Sequence, residues 1–431
     1  MKNKNELRIH AIILMVLFCF LVVPASAFAD KATIPSIHSL DLNLKAAVLV
    51  EPITGQVLLS INADQAYAPA SMTKLMTGYI VEDKVKKGEI SWNDLVTVKE
   101  NASKTIGSRV YLAKGDTHTV KELFTAMLVH SANDAAVALA EHVSGSEQQF
   151  VKQMNQEAKR LEMINSSFIN VTGLDRADMP IPFRPEEKGE NLMSAMDVAT
   201  LVRSIIQDHP DFLEVSTLQS YKFRPTDKEP LVSTNWMLES NANNSKYKQF
   251  AYEGLDGMKT GFTDSAGYCF AGTAERDGMR LISVVMGTES MTKRFTETKK
   301  VLDYGFNHFE KRQVVAEKSA VKSMESVPVK MGIKTEVPVL TDQAVDFVVP
   351  KGIDAPQLSY RTKIEGEALT APFQAGTIAG TITYTYQIEG IDTVQEKTVN
   401  LITAEQMEKA GWFRLMSRSI WEVVNNLVSF Q

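Results

Sequence analysis

What most restricts the fold of this chain is a change of texture near residue 312. Before it, strand patterns stand at both ends of a long, mostly helical stretch; after it come short β-rich runs broken by glycine and proline. Across residues 46–61 apolar residues alternate on both sides of Pro52-Ile53-Thr54-Gly55, the pattern of two strands joined by a tight turn. Strand character returns at residues 258–260, 268–274 and 279–287, the last after an Arg276-Asp277-Gly278 turn, and helical periodicity resumes over 292–309. Strands outside and helices between describe an α/β unit of about 270 residues. The runs at 327–329, 345–349 and 378–388 predict a separate small all-β domain.

Composition bounds the setting. A hydrophobic content of 44% with 23% charged residues is ordinary for a globular protein, so neither wholesale disorder nor a polytopic membrane protein fits. The 46 basic residues are outnumbered by 52 acidic ones and form no basic block, which disfavours a nucleic-acid partner. Residues 1–29 carry Lys2, Lys4 and Arg8, then an uncharged apolar run over 11–23, then Pro24 and small residues about Ala27 and Ala29. That is the pattern of a secretory signal peptide cleaved after Ala27 or Ala29, because the run is too short for a bilayer, which takes roughly 20 residues. Of two cysteines, Cys19 leaves with the leader, so Cys269 has no intramolecular partner; it reads as a small buried hydrophobe rather than a reactive thiol. The seven histidines show no metal-binding spacing, and no metal site is expected.

Three short constellations carry chemistry. Ser71 and Lys74, three apart in an apolar helical run that follows Pro69, share a helix face. A hydroxyl is a poor nucleophile unless a neighbour takes its proton, and a lysine can do so only if burial or another cation lowers its pKa. Alone this pair is weak, because Ser-x-x-Lys arises by chance about one to a few times in such a chain. Ser131-Ala132-Asn133 lies beyond a second helix opened by the capping box Thr119-Val120-Lys121-Glu122, with a third helix expected over 134–142. Ser131 can relay a proton to a leaving amine, and Asn133 can orient Lys74 and a substrate amide. Lys259-Thr260-Gly261 falls on a strand: the cation and hydroxyl suit a carboxylate, and Gly261 lets a substrate backbone lie against the strand. Lys-Thr-Gly is expected on the order of 0.1 times by chance here, and all three in this order far less often.

Together these residues resemble the low-molecular-mass penicillin-binding proteins, the D-alanyl-D-alanine carboxypeptidases of bacterial cell-wall maturation. The stretches 69–74, 131–135, 170–174 and 256–261 all fit that family's pattern. The resemblance implies a β-lactamase/transpeptidase-like catalytic domain, an antiparallel sheet with helices, over 30–311, a small β-rich domain over 312–403 and an amphipathic helix over 404–431. It makes Ser71 the acylated nucleophile, Lys74 its general base, and Ser131 and Asn133 the relay and orienting pair. Lys259 and Thr260 would bind the terminal carboxylate, with the N–H groups of Ser71 and Phe262 as oxyanion hole. Arg294 stands where the family places an arginine aiding carboxylate recognition. The implied substrates are peptidoglycan stem peptides ending in D-Ala-D-Ala, with β-lactams as covalent inhibitors and no cofactor. Phe262 departs from the histidine of some members, and residues 174–194 form a long Pro- and charge-rich stretch at the cleft rim.

Two other readings use the same residues. A class A β-lactamase adds a deacylating glutamate; Glu162-Met163-Ile164-Asn165 is near that pattern, one residue short, and such an enzyme needs no C-terminal domain. A catalytically silent cell-wall binding protein would not need every hydroxyl and lysine of the trio. At the C-terminus, Trp412, Phe413, Met416, Ile420, Val423, Val424, Leu427 and Phe430 share one helical face opposite Arg414, Arg418 and Glu422. That face suits a membrane interface, with docking on the β domain as the alternative. The expected location is the outer face of the bacterial cytoplasmic membrane, peripherally bound, or the cell-wall space.

Overall fold

The computed structural model describes residues 34–186, 188–322 and 324–428, with side chains as far as Trp421. The leader expected over 1–29 lies outside the described residues, as do the side chains expected to extend the apolar stripe beyond Trp421.

The hairpin legible at the start is β1 (Ala46–Glu51) and β2 (Gln56–Ile61). It joins β3 (Leu255–Thr263), β4 (Gly267–Arg276) and β5 (Met279–Thr288) in one antiparallel sheet of order β2-β1-β5-β4-β3. β1 is buried along its whole length, because both faces of the sheet are covered. Alternation sorts its side chains: Ala46, Val48 and Val50 enter one core, Ala47 and Leu49 the other.

The first core is filled by the helices α1 (Lys74–Lys86), α2 (Val120–Val129), α3 (Asn133–Ser144), α4 (Glu147–Arg160) and α5 (Ala195–Asp208). α1 is buried on every side from Lys74 to Glu82, the signature of a central helix rather than an amphipathic surface one. The second core packs α6 (Met291–His308) on the opposite face through Phe295, Val301 and Leu302. Cys269 is fully buried in β4 as a free thiol, pushed up to about 11 by burial.

α6 runs without a linker into β6 (Phe309–Val315), which pairs with β9 (Val345–Pro350). A six-stranded sheet of order β10-β12-β13-β8-β7-β11 completes the all-β part. Its strands are β7 (Ser326–Lys330), β8 (Glu336–Thr341), β10 (Ser359–Ile364), β11 (Leu369–Thr370), β12 (Ile378–Gln387) and β13 (Val394–Thr403). The second core does not stop at the junction: it continues from Leu49 and Phe295 through Phe309 to Phe347 and Tyr386.

The terminal helix α7 (Trp412–Val428) follows. Among the described side chains it meets the β domain through basic residues. Arg418 donates to the carbonyls of Gly332 (2.8 Å) and Ile333 (2.9 Å), and Arg414 to Ile333 (3.3 Å), so its polar side holds the turn between β7 and β8. Trp412, Phe413, Met416, Ile420 and Trp421 are left exposed. Among the described residues no helix is long and apolar enough to cross a membrane.

Candidate active site

The nucleophile candidate sits one turn earlier than a regular helix would put it. Ser71 lies in a 3₁₀ turn, Ala70–Thr73, that leads into α1, with Met72 N–H bonded to the Pro69 carbonyl at 3.2 Å. Ala70 holds a left-handed φ of 48°, and two glycines make room for the turn. A Cβ on Gly173 would stand 1.8 Å from the Ala70 carbonyl oxygen, and one on Gly261 2.6 Å from that of Pro69. The chain's own turn therefore already requires Gly261, a reason that the sequence alone does not reveal.

Lys74 donates to Ser71 Oγ at 3.0 Å and to the Thr172 carbonyl at 2.7 Å. Its side chain is completely buried. Burial and then the Lys259 cation hold its amine well below the ordinary lysine range, with Asp134 opposing them. The sequence reading had Asn133 orient this lysine; the partner that fixes it is the Thr172 main chain. Asn170 shapes that loop, its Oδ1 accepting from Thr172 N–H (3.1 Å), Gly173 N–H (2.8 Å) and Asn191 Nδ2 (2.9 Å). Asn133 instead donates to the Ile106 carbonyl at 2.7 Å, and its buried Oδ1 has no partner among the described residues.

Ser131, at a left-handed φ of 62° between α2 and α3, accepts from Lys259 Nζ at 2.9 Å. Lys259 also donates to the Thr260 carbonyl at 3.0 Å and is lowered to about 7 by burial and, second, by the Arg294 cation. Thr260 donates through Oγ1 to Thr234 Oγ1 at 2.8 Å. Arg294, 5% exposed, donates to the Gly261 carbonyl at 3.3 Å and is lowered to about 10, chiefly by burial. Its Nε has no hydrogen-bond partner among the described residues. A cleft of about 380 Å³ brings Ser71, Ser131, Asn133, Thr260, Gly261, Phe262 and Arg294 to one wall or another. Lys74 and Lys259 lie behind it, each bonded to a serine that lines it.

No carboxylate lines that cleft among the described residues. Glu162 is exposed, at a left-handed φ of 58° just past α4, away from the cleft walls. The deacylating glutamate of the β-lactamase reading therefore has no counterpart there. The Pro- and charge-rich stretch contributes Leu174 to the rim, then folds into two short 3₁₀ turns, Arg176–Asp178 and Ile181–Phe183. Thr172, Asn170 and Thr234 are the members of the site to which the sequence reading gave no role. Thr172 acts through its carbonyl, which no side-chain pattern can announce; Asn170 stood inside a family stretch and Thr234 in none.

A serine at hydrogen-bond distance from a buried lysine whose pKa is lowered, in a cleft lined by no acid among the described residues, defines a serine hydrolase working through an acyl-enzyme. Comparison with known proteins narrows the class. Residues 31–290 match the family model described as D-alanyl-D-alanine carboxypeptidase, and 309–409 the model of the penicillin-binding protein 5 C-terminal domain. The chain is 33% identical to the D-alanyl-D-alanine carboxypeptidase DacF of Bacillus subtilis, over 87% of this chain and 89% of that protein. It is 32% identical to DacC of Escherichia coli, over 94% and 93% respectively. Among solved structures, a peptidoglycan synthesis regulatory factor (PBP3) from Streptococcus pneumoniae aligns with a TM-score of 0.72 at 30% identity, covering 85% of this chain and all of that one. This chain belongs to the D-alanyl-D-alanine carboxypeptidase family of serine peptidases.

Proposed function

We propose that Ser71 carries out the family's reaction on peptidoglycan stem peptides ending in D-Ala-D-Ala. The observation that bears this reading is the buried Lys74 amine, 3.0 Å from Ser71 Oγ, with its pKa held well below the ordinary lysine range by burial. Lys74 takes the hydroxyl proton as Ser71 Oγ attacks the carbonyl of the penultimate D-Ala. The N–H groups of Ser71 and Phe262 receive the developing oxyanion. The C–N bond breaks, the leaving amine takes a proton relayed through Ser131, and D-alanine departs. Water then hydrolyses the ester, returning Ser71 and a stem peptide one residue shorter.

Thr260, Thr234 and Arg294 surround the place for the terminal carboxylate, with Lys259 behind Ser131 adding positive potential. Asn133 lines the cleft, where it orients the substrate amide. β-Lactams acylate the same serine and leave an ester that water removes slowly. The protein acts outside the cytoplasm, at the cell wall. The exposed stripe of Trp412, Phe413, Met416 and Ile420 seats it peripherally on the outer face of the membrane, with α7 lying in the interface.

The test is release of D-alanine from a peptide ending in D-Ala-D-Ala. Wild type should release it and Ser71→Ala should not; undiminished release from Ser71→Ala would overturn the assignment. Lys74→Arg keeps a cation but no base, so acylation by a fluorescent penicillin should fall by about 10²–10⁴-fold. In wild type that acylation rate should decline at acid pH as Lys74 gains a proton, a limb absent from Lys74→Arg. Removing residues 412–431, the helix alone, should free the protein from membranes with soluble turnover retained; unchanged fractionation would remove the anchor.

A further inference from the structure

One buried acid of the catalytic domain lies outside the cleft yet touches the loop on which Lys74 depends. Glu147 opens α4, its place fixed by the cap Ser146, whose Oγ accepts from Gln149 N–H at 3.3 Å, and by Phe150 and Met154 in the first core. It is 4% exposed. Burial pushes its carboxyl above the ordinary range; two hydrogen bonds oppose that rise, and no cation does. A buried carboxylate without a cation costs stability that an apolar residue of similar size would not. What the two bonds join explains why an acid stands there.

Each carboxylate oxygen takes a donor from a different stretch of chain. Oε1 accepts from Val171 N–H at 3.2 Å, and Oε2 from Asn101 Nδ2 at 2.8 Å. Val171 stands one residue ahead of Thr172, whose carbonyl receives Lys74, and its own carbonyl accepts from Thr77 Oγ1 of α1 at 2.8 Å. Asn101 belongs to the short helix Glu100–Lys104, and its carbonyl accepts from Thr105 N–H at 3.0 Å and from Thr105 Oγ1 at 2.9 Å. The chain then passes to Ile106, whose carbonyl receives Asn133 Nδ2, and to Ser108, whose carbonyl receives Asn133 N–H at 2.7 Å. Both stretches run on into the cleft lining, one as Gly107 and Ser108, the other as Gly173 and Leu174. A single side chain, buried behind the cleft, therefore ties the support of Lys74 to the support of Asn133.

We propose that Glu147 is a positioning residue for the reaction at Ser71: by bridging Val171 and Asn101 it fixes the loop that aims Lys74 against the segment that holds Asn133. This rests on the proposed function. An amide at this position can form the same bridge. In Glu147→Gln the carbonyl oxygen accepts from Val171 N–H, and the NH2 group donates to Asn101 once that side-chain amide turns over. Glu147→Leu fills most of the space and accepts from neither donor.

The experiment measures D-alanine release by the full chain and its variants, expressed per folded molecule, with the folded fraction taken from urea unfolding. In Glu147→Leu kcat should fall by about 10²-fold, the cost of a displacement near 1 Å in a reacting pair, with KM within about threefold of wild type. Glu147→Gln should keep both constants within about threefold of wild type. A purely structural role would move the urea midpoint of Glu147→Leu and leave its kcat per folded molecule within about threefold of wild type, which would overturn the proposal. So would a kcat in Glu147→Gln as low as in Glu147→Leu, or a loss carried by KM alone. Should Glu147→Leu not fold, Asn101→Leu replaces it, freeing one carboxylate oxygen while Val171 stays bonded: a fall in kcat of about tenfold at unchanged KM supports the bridge, and unchanged kcat overturns it. Failure of wild type to release D-alanine would instead sink the underlying function. The bridge is then read from the rate at which a fluorescent penicillin acylates Ser71: a slower rate in Glu147→Leu than in Glu147→Gln supports it, and equal rates overturn it.

Discussion

A methyl group at Gly173 would overlap the Ala70 carbonyl, and the residue's φ of +85° is itself costly for anything but glycine. Gly173→Ala should therefore push apart the turn that carries Ser71 and the loop that gives Lys74 its Thr172 partner. We expect a loss of roughly 2 kcal/mol or more in urea unfolding, from strain at a left-handed position. Penicillin acylation should fall by about 10²-fold, the cost of a displacement near 1 Å in a reacting pair. Normal acylation by the variant would show that the turn tolerates the shift. Glu82, buried near the end of α1, lends a pH dependence to stability. Its Oε2 has no hydrogen-bond partner among the described residues, and burial, then Asp211, pushes its carboxyl up to about 8. His209, with Nδ1 3.9 Å away, is lowered by its own burial and supplies little charge. The native state thus keeps a proton that the unfolded chain releases near 4.5, so this group costs stability as pH rises from there to about 8. Glu82→Gln should be close to neutral near pH 4.5 and stabilising by roughly 2–4 kcal/mol at pH 8.5. A stability difference that does not change between those pH values would contradict this account.

At the scale of elements, α2 shows what local sequence can dictate. Thr119 Oγ1 accepts from Glu122 N–H at 3.2 Å, while Glu122 Oε2 accepts from Thr119 N–H at 2.8 Å, the reciprocal box that its sequence announced. Thr119→Ala should cost about 1 kcal/mol and lower the Tm by about 2–4 °C. Acylation should survive, because the box lies at the far end of a 10-residue helix, about 15 Å from Ser131. A large loss of activity would mean that the helix transmits its end into the site. The hairpin β1–β2, α6 and the β-rich texture after residue 312 were legible for the same reason: each is encoded in neighbouring residues. The strand order was not, because β1 pairs with β5 across more than 200 positions and only the closed fold supplies that partner. Nor was the bond between Lys259 and Ser131, 128 positions apart, or the part that Gly261 plays in admitting Pro69. Of the stripe expected on α7, Trp412, Phe413, Met416 and Ile420 lie among the described side chains and are exposed. Arg414 and Arg418 meanwhile find carbonyls at the β7–β8 turn, so the polar side of the helix rests on the β domain.

For the whole molecule the question is whether two family-sized units behave as two. The catalytic sheet and the β strands share one apolar core, and α6 passes into β6 with no intervening loop. On the other flank, Gln56 Nε2 donates to Thr393 Oγ1, which donates to the Val57 carbonyl at 3.2 Å, tying the hairpin to the loop before β13. Separating the units would expose the ring cluster about Phe309 and Phe347, each side chain worth about 1.5–3 kcal/mol of burial. That is a sizeable fraction of the 5–15 kcal/mol that holds a domain folded, so the parts should unfold together. Calorimetry of the full chain should give one transition, and a penicillin ester on Ser71 should move all of it upward, since stabilising one end of a cooperative unit stabilises the whole. Two transitions, with only one shifted by the adduct, would show that the shared core does not couple the units, and that the β domain can melt while the catalytic cleft stands.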